Sequence, residues 1–309
     1  MRFDDEAELD PSQVEDIRAA GSEQDGRGPG CRGLWFGGPG GGCLLALLAI
    51  GALFIFEANP LQFIEGEPRP TSARPQPSLP LRTTSDLAAR CRTGADADQS
   101  QDCRIVGVVN SVQAYWTREF RRRGERYEQA KTVLFSLGVN TACGYADTAA
   151  GPFYCPMEQK VYLDLTFFST LQRDFGTAGG PFAQAYVIAH EYGHHVQNLT
   201  GTLNRVGGDR YGATSGSVRL ELQADCFAGV WAKNAVDTGF YQGPFTEEDI
   251  TEALNAAAAV GDDTIQRRTE GRVNPDGFTH GTSVQRERWF GTGYQTGDPR
   301  RCDTFSGAI

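Results

Sequence analysis

The sequence predicts an α+β fold, with short strands in the middle of the chain and helices towards its end. Three observations carry this. Residues 160–165 alternate in a period of two, helix starts are marked by a proline and by capping residues, and hydrophobic residues make up 39% of the chain against 22% charged, ordinary for a packed core. A length of 309 residues leaves room for one large domain, or two small ones, plus extensions. The net charge of −10 argues against a nucleic-acid partner.

Residues 1–33 hold nine acids against four arginines and no sustained apolar period, so they are expected to be a disordered, cytoplasmic, acidic tail. Residues 34–58 form a Gly-rich approach and an apolar stretch. The uncharged run from Gly33 to Phe56 is 24 residues, and a spanning helix needs about 20. The segment reads as one transmembrane helix. A cleavable signal peptide fits less well, because a long acidic tail precedes it and Phe54 to Glu57 makes a poor cleavage site. A buried core helix fits less well again, with Gly and Pro on both sides. Arg27 and Arg32 precede the segment while Glu57, Glu65 and Glu67 follow it. This bias places the N-terminus in the cytoplasm and the following domain in the periplasm or outside the cell. Residues 59–85 are a Pro-rich linker, and 86–309 form the folded domain.

Six of the eight cysteines lie beyond the apolar segment, an even number as disulfides require. Neighbouring pairs suggest Cys91 with Cys103 and Cys143 with Cys155, leaving Cys226 with Cys302, one of fifteen connectivities. Free thiols and cysteine zinc ligands are the alternatives, the latter weakened by the absence of any Cys-x-x-Cys.

Within the domain, residues 105–122 read as a helix with Val106, Val109, Val112 and Tyr115 on one side. Lys131–Phe135, Phe153–Cys155 and 160–165 read as strands, the last two joined by a turn at Pro156. Pro181 opens a helix running to about Asn198, with Gly201 as its stop. Residues 217–232 make a second helix. Thr246 to Asp249 form a capping box opening a third, through Val260, with Gly261 as its C-cap.

The helix opened by Pro181 carries His190-Glu191-Tyr192-Gly193-His194, an H-E-x-x-H segment, in a chain with only four histidines. Positions i and i+4 share a helix face, so both imidazoles can converge on one ion, while Glu191 is turned towards a water beside it. A catalytic zinc site needs a third protein ligand and an open position. An H-x-x-G-x-x-H extension is absent, since Gln197 and Thr200 stand in its places. Glu221 and Asp225, again i and i+4, lie in an apolar stretch of the next helix. Glu221 is the economical third ligand, with Asp225 accepting the outer N–H of a ligand histidine. The reverse assignment, Asp225 as ligand, stays open.

These residues resemble a bacterial family of neutral zinc metallopeptidases. The resemblance rests on His-Glu-Tyr-Gly-His-His-Val-Gln, on Glu-Leu-Gln-Ala-Asp-Cys-Phe-Ala-Gly-Val-Trp-Ala at 221–232, on Gly-Pro-Phe-Tyr-Cys-Pro at 151–156, on Tyr-Leu-Asp-Leu at 162–165 and on Phe-Thr-His-Gly at 278–281. It covers roughly 85–305 and implies a zincin-like domain, a small sheet beside an active-site helix, related to the thermolysin-like group. Leu220 departs from thermolysin's pattern, which has Asn before the glutamate.

The chemistry then expected is peptide hydrolysis. One zinc per chain, held by His190, His194 and Glu221, activates a water, and Glu191 is the general base. His280 is the candidate donor to the developing oxyanion, with Tyr211 in reserve; His280 as a structural loop residue is the alternative. His195 points about 100° away from His194 and is read as supporting or structural. The expected partners are a peptide or protein substrate and a membrane reached by one N-terminal helix. Two other readings compete: a membrane-tethered binding or assembly module with zinc as a structural clamp, and a hydrolase of non-peptide amides.

Overall fold

The computed structural model describes residues 1–18, 84–175 and 180–309. Among them the chain runs through β1 (Val14–Asp16), α1 (Thr84–Arg90), α2 (Gly94–Gln99) and α3 (Gln101–Arg122). It continues through β2 (Lys131–Phe135), the hairpin β3 (Gly138–Thr141) and β4 (Gly144–Asp147), β5 (Phe153–Cys155) and β6 (Lys160–Asp164). Helices then dominate: α4 (Thr166–Phe175), α5 (Pro181–Leu199), α6 (Gly216–Asn234), α7 (Glu247–Ala259), α8 (Asp262–Thr269) and α9 (Ser283–Thr296). This is the expected α+β order. The expected transmembrane segment, 34–58, lies outside the described residues. Among the described residues no helix is long and apolar enough to cross a membrane.

The sheet order is β1-β2-β6-β5. β1, β2 and β6 run parallel, and β5 is antiparallel to β6. Alternation along β2 and β6 divides the core. Leu134, Val161 and Leu163 face the helices, whereas Val133, Phe135 and Tyr162 face the β3–β4 hairpin. Under that hairpin Phe153 stacks on Tyr162 with ring centroids 4.9 Å apart. The strands are buried on both faces, so period two shows only in which layer each side chain joins.

Disorder was expected for residues 1–33, and for residues 1–18 the structure overturns it. Phe3, Leu9 and Val14 are buried, and Val14–Asp16 pairs in register with Thr132–Leu134. The acidic composition misleads because the charges find partners in the fold. Asp16 meets Arg18, which also reaches Asp102 of α3 at 3.1 Å, and Glu15 meets Lys160. Residues 19–33 lie outside the described residues. The domain therefore does not begin at residue 86.

Helix α3 starts four residues before its expected position and is covered on several sides. Asn110 and Gln113, polar positions on its length, bond to Asp10 and Gln13 of the N-terminal segment. The capping box at Thr246 and Asp249 forms, and Gly201, with φ +73°, follows the end of α5 in the left-handed region that glycine tolerates. Gly261, expected as a C-cap, instead leads into α8 with φ −69°. The pairings Cys91–Cys103, Cys143–Cys155 and Cys226–Cys302 all form.

The helical layer is set by close backbone approaches. A Cβ at Gly193 of α5 would lie 2.9 Å from Ala224 Cα of α6. Between α6 and α9, a Cβ at Gly229 would lie 2.1 Å from Phe290 O, and one at Gly293 would lie 2.0 Å from Cys226 O. These glycines let the three helices touch backbone to backbone, which brings their polar side chains within hydrogen-bond reach in a buried layer.

Candidate metal centre

Helix α5 is buried from Phe182 to Gln197. Its start is anchored by Pro181 and by the Glu252 carboxylate of α7, which accepts from the Ala183 N–H. Where α5 meets α6 at Gly193, the structure brings His190, His194 and Glu221 together. One ligand atom from each lies within 4.8 Å of the others, and all three residues are buried. Both oxygens of Glu221 face imidazoles: Oε2 is 3.2 Å from His190 Nε2 and Oε1 is 3.4 Å from His194 Nε2.

The outer nitrogens are committed elsewhere. His190 Nδ1 lies 2.8 Å from Asp225 Oδ1, and His194 Nδ1 lies 2.9 Å from Gln197 Oε1. An ionised carboxylate and an amide oxygen can only accept, so each Nδ1 carries a proton, and Nε2 is the nitrogen that each ring turns towards Glu221. Gln197 is held in turn, donating to Leu220 O and Gln223 Oε1. Asp225 faces the back of His190 and also accepts from Tyr186 and, in a two-pronged contact, from Arg286 of α9. That leaves no oxygen for a cation, so the arrangement of Glu221 inward and Asp225 behind is the one the geometry presents.

Electrostatics follow from burial. Burial pushes the Glu191 carboxyl up to about 7, with neighbouring Glu221 adding to the rise. For Glu221, burial acts upward, but the His194 and His190 imidazoles hold it well below the usual carboxylate range. His190 is lowered by burial and raised more strongly by Asp225 and Glu221, to about 10. Burial takes His194 down to about 4. Two carboxylates, Glu191 and Glu221, thus share a buried pocket with two imidazoles, an arrangement that demands positive charge. Two imidazole nitrogens and a carboxylate are the donor set of a catalytic zinc. The residues fit that ion, and among the described residues no fourth His, Cys, Asp or Glu joins the group.

The centre opens into a cleft lined by Pro152, Tyr154, His190, Glu191, Glu221 and His280, among others. His280 sits across the cleft. Its Nδ1 contacts Thr279 Oγ1 at 2.8 Å and Asp262 Oδ1 at 3.3 Å, and its buried Nε2 has no hydrogen-bond partner. Burial pushes the His280 imidazole down, but Asp262 beside it and Glu221 across the cleft raise it overall. Tyr211, the reserve candidate, is 70% exposed and does not line the cleft. His195 braces the fold, with Nδ1 at the Tyr154 hydroxyl and Nε2 at Glu128 O.

Sequence reasoning missed Gln197, Tyr186, Arg286 and Asp262. Gln197 had a signal, standing three residues after His194 on the same helix face. So did Tyr186, four residues before His190. Arg286 and Asp262 had none, because their relation to the centre exists only where α9 and α8 pack against it.

A model of the family described as "Putative neutral zinc metallopeptidase" matches residues 1–305. An uncharacterized protein of Mycobacterium tuberculosis is 50% identical over 240 residues, 74% of this chain and 80% of its own. One from Mycobacterium bovis matches to the same extent. The uncharacterized protein YpfJ of Escherichia coli is 42% identical over 234 residues, 70% of this chain and 80% of its own. No solved structure matches the chain. With nearly the whole sequence covered by the family and its H-E-x-x-H helix meeting a glutamate from the next, the chain belongs to this zinc metallopeptidase family.

Proposed function

We propose that the protein is a membrane-anchored zinc endopeptidase acting outside the cytoplasm, with His190, His194 and Glu221 holding one zinc, Glu191 as general base and His280 stabilising the oxyanion. The observation that carries it is the convergence of the three donors, Glu191 and the unpartnered His280 Nε2 on one cleft. When bound, zinc lowers the pKa of a coordinated water and polarises the substrate carbonyl.

The chain's own residues do the rest. Glu191 takes a proton at its carboxylate from the attacking water and delivers it to the leaving nitrogen. A buried carboxyl near neutrality suits both halves of that task. His280, anchored through Nδ1 beside Asp262 and Thr279, directs its unpartnered Nε2 into the cleft, where as an N–H donor it meets the charge developing on the carbonyl oxygen. Asp225 and Gln197 keep the two imidazoles in the tautomer that leaves Nε2 free for the ion.

Peptides are favoured over other amides by β5. It is the edge strand of the sheet, and Phe153 and Tyr154 line the cleft, where an extended backbone can lie alongside. Anchoring is supported by the uncharged run from Gly33 to Phe56, and an oxidising compartment by the three disulfides. The structural-clamp reading needs a fourth protein ligand, and none joins the group among the described residues. The test is zinc content and peptide-library cleavage by the full chain, wild type against Glu191→Gln. Zinc retained with hydrolysis lost is expected, and undiminished cleavage by the variant sinks the proposal.

A further inference from the structure

We propose that residues 1–18 are an integral part of the catalytic body, so that the N-terminal segment and the metal centre lie on the same side of the membrane. This replaces the expected cytoplasmic placement of the N-terminus, and it does not depend on the zinc chemistry.

The docking is built rather than incidental. β1 lies along β2 with Val14 opposite Thr132 and Asp16 opposite Leu134, and Ile17 N–H donates to Leu134 O at 2.9 Å. Further towards the start, Leu9 N–H donates to Arg92 O, and Gly94 N–H donates to Ala7 O. Phe3 is wholly buried. Arg18 links Asp16 to Asp102 of α3.

The receiving surface is shaped for this segment by two glycines. A Cβ at Gly94 would stand 1.9 Å from Asp4 O, and one at Gly107 would stand 2.5 Å from the Phe3 ring. Gly107 lies in the middle of α3, where glycine is unfavourable relative to alanine. The Phe3 ring supplies a reason for it.

A bilayer core is about 30 Å thick, and strands pair at about 5 Å. A segment held in the cytoplasm therefore cannot be the neighbour of a strand outside it, in this copy of the chain or another. The Cys91–Cys103 bridge lies next to the docking site, since Arg92 and Gly94 bond the segment directly. If that bridge matures in an oxidising compartment, the N-terminal segment is delivered there too.

Two measurements on the full chain test this. The first places one cysteine at an exposed position of each part, Glu6→Cys or Arg272→Cys, with Cys31 and Cys43 replaced by serine. Spheroplasts then receive a membrane-impermeant maleimide before or after lysis. Equal labelling of the two positions in each state is expected. Labelling of position 272 in intact spheroplasts, with position 6 reactive only after lysis, overturns the proposal. The second is Gly107→Ala in the purified protein. With Phe3 docked, the melting temperature falls by roughly 3 °C or more. If the segment resides elsewhere, alanine relieves a mid-helix glycine and the melting temperature rises, which also overturns it.

Discussion

Helices α5 and α6 each bring an i, i+4 pair to the same place and use it differently. On α5 both members, His190 and His194, face the cation position with Nε2. On α6 the pair splits: Glu221 faces that position, while Asp225 meets the far side of His190. Equal spacing therefore shows that two side chains share a face, and says nothing about what that face meets. The contact at Gly193 sets the crossing, and Arg286 with Tyr186 takes up the oxygens of Asp225. One helix delivers ligands; the other delivers a ligand and its neighbour's support.

Substitutions along the two pairs test this division. The largest effect is expected from Glu191→Gln, between the two histidines. Cleavage should fall by about 10² to 10⁴, the range of a lost general base, with zinc bound at the wild-type level. Removing inward-facing members, His190→Ala or Glu221→Ala, should weaken zinc by more than the roughly 10–100-fold typical of supporting residues, read by competition with a chelating dye. Asp225→Asn should fall within that 10–100-fold range while Glu221→Ala falls outside it; the opposite ranking would make Asp225 the ligand.

Arg286→Met leaves Asp225 buried without its guanidinium partner. A loss of about 3 kcal/mol or more is expected in denaturant unfolding, since removing one partner of a buried pair strands the other charge. The smallest effect is a displacement on the pH axis. Glu191 must be ionised to act as base, so kcat/KM should fall as pH drops through its pKa. That pKa is pushed up to about 7 by burial, and a bound cation favours the ionised form, so the acid limb should lie below 7. An acid limb above 7 would mean that another group governs it.

The site was legible where its logic is local. H-E-x-x-H on a proline-opened helix, and Glu221 four residues before Asp225, needed only helical periodicity. The cysteine pairs were legible because two of the three close short loops, leaving the last pair by elimination. Arg286 and Asp262 were not, because no period connects them to the histidines. β1 was hidden by its own composition, since a strand of three residues, two of them acids, carries no pattern until Thr132–Leu134 stands beside it.

By itself, the sequence determined the fold class, the metal-binding face of α5 and the pair of carboxylates on α6, because spacing along a helix is a property of the chain alone. Tertiary structure decided which carboxylate faces inward, that His280 rather than Tyr211 lines the cleft, and that the acidic start of the chain belongs to the sheet. Each of these depends on which distant segment packs alongside, and local periodicity carries no information about that.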